Sequence, residues 1–245
     1  MRASGVHAVR PVRIIAGALI ALALPLLLIG ANLQFMVNSG WLYSYNWWRN
    51  GIPEQTGIEK PELDRAARTI KAYFATPQSD ELLDVRVRTG GRDVSLYHDR
   101  EVLHMRDVKT LVRGFLAAGL WAGVSALAVS AAAAVSLKRQ FWRFCAGAVK
   151  WSAIGSVAAV VIIGAASLIN FGAVFTLFHQ LGFANDLWQL SAYTDYLVIM
   201  FPQQFWFEAT LLLGALIVAE FLGLYLGVRW LRGRTERVWG PARAR

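Results

Sequence analysis

Four histidines and one cysteine are the side chains of this chain best suited to proton transfer or nucleophilic attack. His104 lies in Asp99-Arg100-Glu101-Val102-Leu103-His104-Met105-Arg106-Asp107-Val108-Lys109. On a helix, Glu101, His104 and Val108 share one face, and Asp107 lies three residues beyond the histidine. Flanking carboxylates favour the imidazolium and orient the ring, as a general base or proton shuttle requires. The same string also reads as a solvated charged collar where a helix leaves a bilayer. His179 follows Phe178 and precedes Phe183, Asn185, Asp186 and Trp188. It reads either as a second reactive imidazole or as an interfacial histidine in an aromatic belt. His98 falls in a polar turn and reads as a surface residue, and His7 belongs to an N-terminal tail. A single cysteine, Cys145, excludes an intramolecular disulfide and every multi-cysteine metal or redox motif. Glu208 and Glu220 interrupt otherwise apolar sequence, where ionisable groups are functional hypotheses by default. No Walker motif, strand-borne GxGxxG, HExxH or GxSxG is present. Nucleotide, redox and zinc-protease readings therefore lack support, and neither a cofactor nor a bound metal is expected.

The elements that must hold these side chains are membrane spans. Of 245 residues, 56% are hydrophobic and 17% charged, against about 25% charged in a soluble domain. A crossing helix needs about 20 mostly apolar residues. Residues 14–35, 114–137 and 151–178 carry no charge, and 205–228 carry only Glu208 and Glu220. The first stretch is longer than a signal-peptide core and lacks a clean small-x-small cleavage site, so it reads as retained. The expectation is a mostly α membrane protein. It has four transmembrane helices and a small α+β extracytoplasmic domain, residues 36–111, between helices 1 and 2. A cytoplasmic tail (1–13), a cytoplasmic loop (138–150), an extracytoplasmic aromatic loop (179–204) and a basic cytoplasmic tail (229–245) complete the layout.

The net charge of +9 taken alone suggests a nucleic-acid partner; its distribution does not. Residues 138–150 carry Lys138, Arg139, Arg143 and Lys150 with no acid, and Arg2, Arg10 and Arg13 mark the N-terminal tail. Arg229, Arg232, Arg234, Arg237, Arg243 and Arg245 mark the C-terminal tail, whereas residues 179–204 contain no Lys or Arg. The surplus is a topology signal. It puts both termini and Cys145 in the cytoplasm, and His104 and His179 on the outer side. Within 36–111, Pro61 opens a helix to Phe74 with Leu63, Ala66, Ile70 and Phe74 on one face. Alternation of Val85, Val87, Val94 and Leu96 about Gly90-Gly91 reads as a β-hairpin. Asp99 reads as the cap of the next helix.

Two sequence pieces resemble the bacterial integral membrane family of the lipoprotein intramolecular transacylase (Lit). They are Glu101-x-x-His104-Met105-x-Asp107-Val108-Lys109 and Phe178-His179 followed by Phe183, Asn185-Asp186 and Trp188. Asp195, then Met200-Phe201-Pro202 before an aromatic cluster, continues the pattern. The resemblance implies an acyl shift at the outer leaflet. The sn-2 acyl chain of a diacylglyceryl-cysteine lipoprotein moves to its own α-amino group, leaving the lyso form. It further implies His104 as general base oriented by Glu101 or Asp107, and His179 at the oxyanion or the leaving alkoxide, with the two roles open to exchange. Asn185, Asp186, Trp188 and Glu208 have supporting places. The partners are a lipoprotein N-terminus and membrane lipid. Two other readings stand beside it: a non-enzymatic membrane scaffold or assembly factor, and a metal-binding protein using the histidines and nearby carboxylates. The distance between the histidines discriminates, because rings more than roughly 12 Å apart cannot share one ester at hydrogen-bonding reach.

Overall fold

Apolar sequence that must bury its own backbone hydrogen bonds forms helices, and helices dominate the structure, a computed structural model describing residues 4–77 and 80–239. Arg2, Arg243 and Arg245 lie outside the described residues. The chain divides into two units. The first comprises Met1–Asn32, Phe115–Ile163 and Leu213–Arg245; the second comprises Leu33–Gly114 and Gly164–Leu212.

The expected four transmembrane helices are corrected to three membrane-length helical stretches among the described residues: Pro11–Asn38, Asp99–Gly182 and Gln203–Val238. They correspond to helices α1 (Ser4–Asn38), α5 (Asp99–Leu137) with α6 (Phe141–Gly182), and α8 (Gln203–Trp239). The basic segment 138–150, expected as a loop, is helical. Lys138–Gln140 form a single 3-10 turn and α6 begins at Phe141, so the middle stretch runs for 84 residues. Its one backbone irregularity there is Lys138 in the left-handed region at φ 46°. The expected position of the outer domain is corrected as well. The hairpin follows three short helices, α2 (Gly40–Arg49), α3 (Ile52–Thr56) and α4 (Lys60–Ala75), and stands between the first membrane-length helix and the later helical bundle. It does not lie between helices 1 and 2. The segment around it is mostly helix, because only eight of its residues pair as strands.

In the first unit α1, α5 and α6 share a small core of Ile20, Ala133, Phe144 and Ala148. Small residues let α1 and α5 approach closely. A Cβ on Gly119 would fall 2.9 Å from the Leu26 carbonyl oxygen. Glu220 accepts a 2.8 Å hydrogen bond from Asn32 Nδ2. The same amide donates to the Leu28 carbonyl at 2.9 Å.

The second unit holds the larger core, in which Trp47, Leu63, Tyr73, Leu83, Leu96 and Met200 are buried. On α4 the buried face is Leu63, Ala66, Ala67, Ile70 and Tyr73, with Phe74 only packed against the core's edge. Strands β1 (Arg86–Thr89) and β2 (Arg92–Ser95) are antiparallel, with Val87 opposite Val94. Gly90 and Gly91 both take positive φ, 56° and 76°, as a two-residue turn between right-twisted strands demands. Fully buried Asn46 links α2 to α7 (Tyr196–Met200): its Nδ2 donates to the Met200 carbonyl at 2.8 Å.

Candidate active site

The start of α5 is set by a carboxylate. Asp99 is the first helical residue rather than the cap. The His98 carbonyl accepts the first intrahelical bond from Val102 N–H, and Glu101 reaches back so that its Oε2 accepts His98 N–H at 2.7 Å. This is the carboxylate half of a capping box. The other oxygen, Oε1, accepts Leu197 N–H at 2.6 Å, in the first turn of α7. A fully buried Glu101 therefore clamps two helix N-termini, where negative charge is favoured. Asp195 precedes α7, and its Oδ2 accepts Ser191 N–H at 2.6 Å.

His98 is exposed, as its polar turn implied, and its Nδ1 lies 3.4 Å from both Glu101 Oε2 and Asp195 Oδ1. The ligating atoms of His98, Glu101 and Asp195 all fall within 4.8 Å of one another, the spacing of a metal-ligand set. Both Glu101 oxygens and one of Asp195 are already hydrogen-bonded to backbone N–H groups. Those bonds fit a helix-capping junction better than a set of open ligands. Burial pushes the neighbouring Tyr97 phenol well above its ordinary range, and the Glu101 charge adds to the rise.

One turn further along α5, His104 is buried with its Nδ1 enclosed and without a hydrogen-bond partner. Neither expected carboxylate hydrogen-bonds to it. Glu101 is engaged at the caps, and Asp107 Oδ2 accepts Asn185 Nδ2 at 2.9 Å. The neighbour of His104 is instead the second histidine: the His104 and His179 ring centroids are 6.0 Å apart. His179, in the last turn of α6, is also buried, and its Nδ1 lies 2.7 Å from the Phe175 carbonyl oxygen. A carbonyl only accepts, so Nδ1 carries the proton and neutral His179 keeps its lone pair on Nε2. Aromatic rings enclose the pair. Phe175, Phe178, Phe183 and Trp188 lie 4.2, 5.2, 5.5 and 5.1 Å from the His179 ring. Phe183 also meets His104 edge-on at 5.1 Å.

The direction of this part of α6 depends on a break the charge-free run concealed. Asn170 leaves helical geometry (φ −156°, ψ 87°), and its Oδ1 accepts Ala173 N–H at 3.0 Å. It acts as an N-cap inside the helix and restarts the turns that end in His179. The following loop is tied to α5 by the Asn185–Asp107 bond and by Arg100 Nη2 donating to the Asp186 carbonyl at 2.6 Å. Trp188 thereby faces His179. Glu208 makes its contacts elsewhere, with Tyr45, Arg49 and Gln204. Sequence reasoning missed Asn170, Phe175 and the Glu101 clamp. The visible signals were a lone Asn in an apolar run, and the His98-x-x-Glu101 spacing of a cap residue and its third helical neighbour.

The family described as lipoprotein intramolecular transacylase Lit matches residues 18–206. An uncharacterized protein of Aquifex aeolicus (strain VF5) is 30% identical over 201 residues, which cover 79% of this chain and 84% of that protein. The in meso structure of the membrane integral lipoprotein intramolecular transacylase Lit from Bacillus cereus superposes with a TM-score of 0.75 at 18% identity. It covers 92% of this chain and 98% of its own. A second structure of that protein, bearing a histidine-to-arginine mutation, superposes with a TM-score of 0.69 at 19% identity, covering 95% of each chain. At such identities these two likenesses concern the fold.

Proposed function

The chain belongs to the family of the lipoprotein intramolecular transacylase Lit, and from that premise we propose that it moves an acyl chain within a diacylglyceryl-cysteine lipoprotein, from the glyceryl sn-2 oxygen to the cysteine α-amino nitrogen. The observation that carries this reading is the buried His104–His179 pair at 6.0 Å in an aromatic enclosure. That distance is short enough for both rings to reach one ester.

The reaction needs three things from the protein. Donor and acceptor belong to one molecule, so orientation supplies much of the rate. The attacking amine must lose a proton, and the carbonyl oxygen must be stabilised as it becomes an oxyanion. His179 suits the first proton step, because Phe175 holds its Nδ1–H and leaves Nε2 as acceptor. His104 suits the second, because its unpartnered ring nitrogen is free to donate to the oxyanion. The C–N bond forms as the carbonyl oxygen becomes the oxyanion, and the C–O bond breaks when that tetrahedral species collapses. The proton taken from the amine by His179 returns to the glyceryl alkoxide, so neither histidine is changed and no covalent nucleophile is needed. This exchanges the two roles named first from the resemblance. Phe175, Phe183 and Trp188 exclude water, which would otherwise compete with the amine for the ester.

Charge distribution supports an extracytoplasmic place for the site. Residues 179–204 hold no Lys or Arg, and residues 138–150 hold four bases with no acid. The test is expression in cells lacking competing N-acylation, followed by mass spectrometry of a lipoprotein N-terminus. The expected product is the N-acyl lyso form. An unchanged diacyl peptide in the presence of folded protein overturns the reading, and normal conversion by both histidine-to-alanine variants favours the scaffold alternative.

A further inference from the structure

The basic residues near the α6 start and the α8 end line a pocket of about 570 Å³ that the acyl shift leaves unused. Arg143, Gly147 and Lys150 recur at four and three residues on α6, and Tyr225, Arg229 and Arg232 at four and three on α8, so each set is one helix face. Space is left by missing side chains: a Cβ built on Gly147 or on Gly233 would meet nothing within 4 Å. Glu236 is the one acid of the lining, and its Oε1 is held by Arg232 Nε at 3.0 Å. Among the described residues Arg143, Lys150 and Arg229 form no ion pair. Three cationic groups therefore surround a cavity of ligand size with no counter-charge of their own.

The flanks identify the medium. Trp151 and Trp230 are 67% and 53% exposed, and each carries a cation over its ring: Lys150 Nζ at 5.8 Å and the Arg234 guanidinium at 4.1 Å. Exposed tryptophans beside Lys and Arg, near the start of α6 and the end of α8, mark the headgroup layer. We propose that this pocket binds the phosphate headgroup of an anionic phospholipid. Arg143 and Arg229 present donors to the phosphate oxygens, Lys150 adds a point charge, and the acyl chains lie along the exposed apolar surface beside Trp151 and Trp230. The pocket is roomier than inorganic phosphate needs, which favours the lipid as the source of the anion.

The experiment uses full-length delipidated protein in detergent and native mass spectrometry with three probes: phosphatidylglycerol, phosphatidylcholine of the same acyl chains, and inorganic phosphate. The expected result is a phosphatidylglycerol adduct that weakens with added salt. A triple variant, Arg143→Gln, Lys150→Gln and Arg229→Gln, should bind about a hundredfold more weakly. A second variant, Gly147→Leu with Gly233→Leu, keeps all charges and fills the cavity, and should also lose the adduct at an unchanged melting temperature. This variant decides the matter where the triple variant fails to fold. Equal retention of phosphatidylcholine, wild-type affinity in either folded variant, or displacement by equimolar inorganic phosphate overturns the proposal.

Discussion

At the first turn of α5, Glu101 gives both carboxylate oxygens to backbone N–H groups, whereas His104, one turn later and equally enclosed, keeps its Nδ1 without a partner. By residue type the first region is the richer in chemistry, with a histidine and two acids inside 4.8 Å. Its buried Glu101 is nevertheless committed to capping α5 and α7, and an Asp195 oxygen to Ser191 N–H. The second region has fewer ionisable groups, an aromatic shell and polar atoms held in reserve. A buried polar atom left unpaired costs about 1–3 kcal/mol, a cost that a hydrogen bond to a bound molecule can repay. What separates the two regions is which polar atoms the fold has already satisfied.

This contrast predicts opposite signatures for changes one turn apart. The largest effect is expected at the histidines. His104→Ala and His179→Ala should each lower transacylation by about 10²–10⁴-fold with normal membrane abundance, read by mass spectrometry of the lipoprotein N-terminus. Activity within threefold of wild type in both would erase the distinction. Glu101→Gln should show the reverse pattern. Turning one oxygen into an amide removes a charge-assisted acceptor from a buried cap and costs about 2 kcal/mol, read as a lower melting temperature. Molecules that remain folded should keep activity within tenfold. A larger loss of turnover at unchanged stability would move Glu101 into the chemistry.

Asn170→Ala probes the piece that aims His179. Loss of the internal cap should cost about 1 kcal/mol and lower kcat more than it raises KM, with Asn170→Ser restoring part of the loss. The smallest effect is expected at Tyr97, beside the clamp. Its phenol is raised in the folded state above the ordinary value of 10. Above pH 10 the unfolded chain therefore holds fewer protons at this site than the folded one, and stability falls as pH rises. Tyr97→Phe should flatten that alkaline loss of melting temperature and leave the neutral-pH activity unchanged. An unaltered alkaline slope would place the titration elsewhere.

Much of this was legible beforehand for local reasons. The hairpin follows from alternating valines about two glycines, and the α4 face from apolar residues three and four apart. Both histidines were picked out by their surroundings, yet the reasons attached to them changed. Glu101 and Asp107 look like orienting carboxylates because they share a helical neighbourhood with His104. Their partners, Leu197 and Asn185, come from a segment far along the chain, and no short window reveals them. The number of spans was misread because a basic segment resembles a loop in composition, whereas residues 141–150 are helical and extend α6.

By itself the sequence determined the lipid-compatible lengths of apolar chain, the hairpin, the amphipathic face of α4 and the uneven placement of charge. Each of these depends on neighbours within a few residues, where backbone geometry and hydropathy act directly. The tertiary structure alone decided that Asn32 satisfies Glu220, that Glu101 is consumed as a clamp, and that His104 and His179 meet inside an aromatic shell. Those outcomes depend on which distant groups reach a lone pair first. Backbone N–H groups take both Glu101 oxygens and the Asn185 amide takes Asp107, which leaves the His104 Nδ1 without a partner.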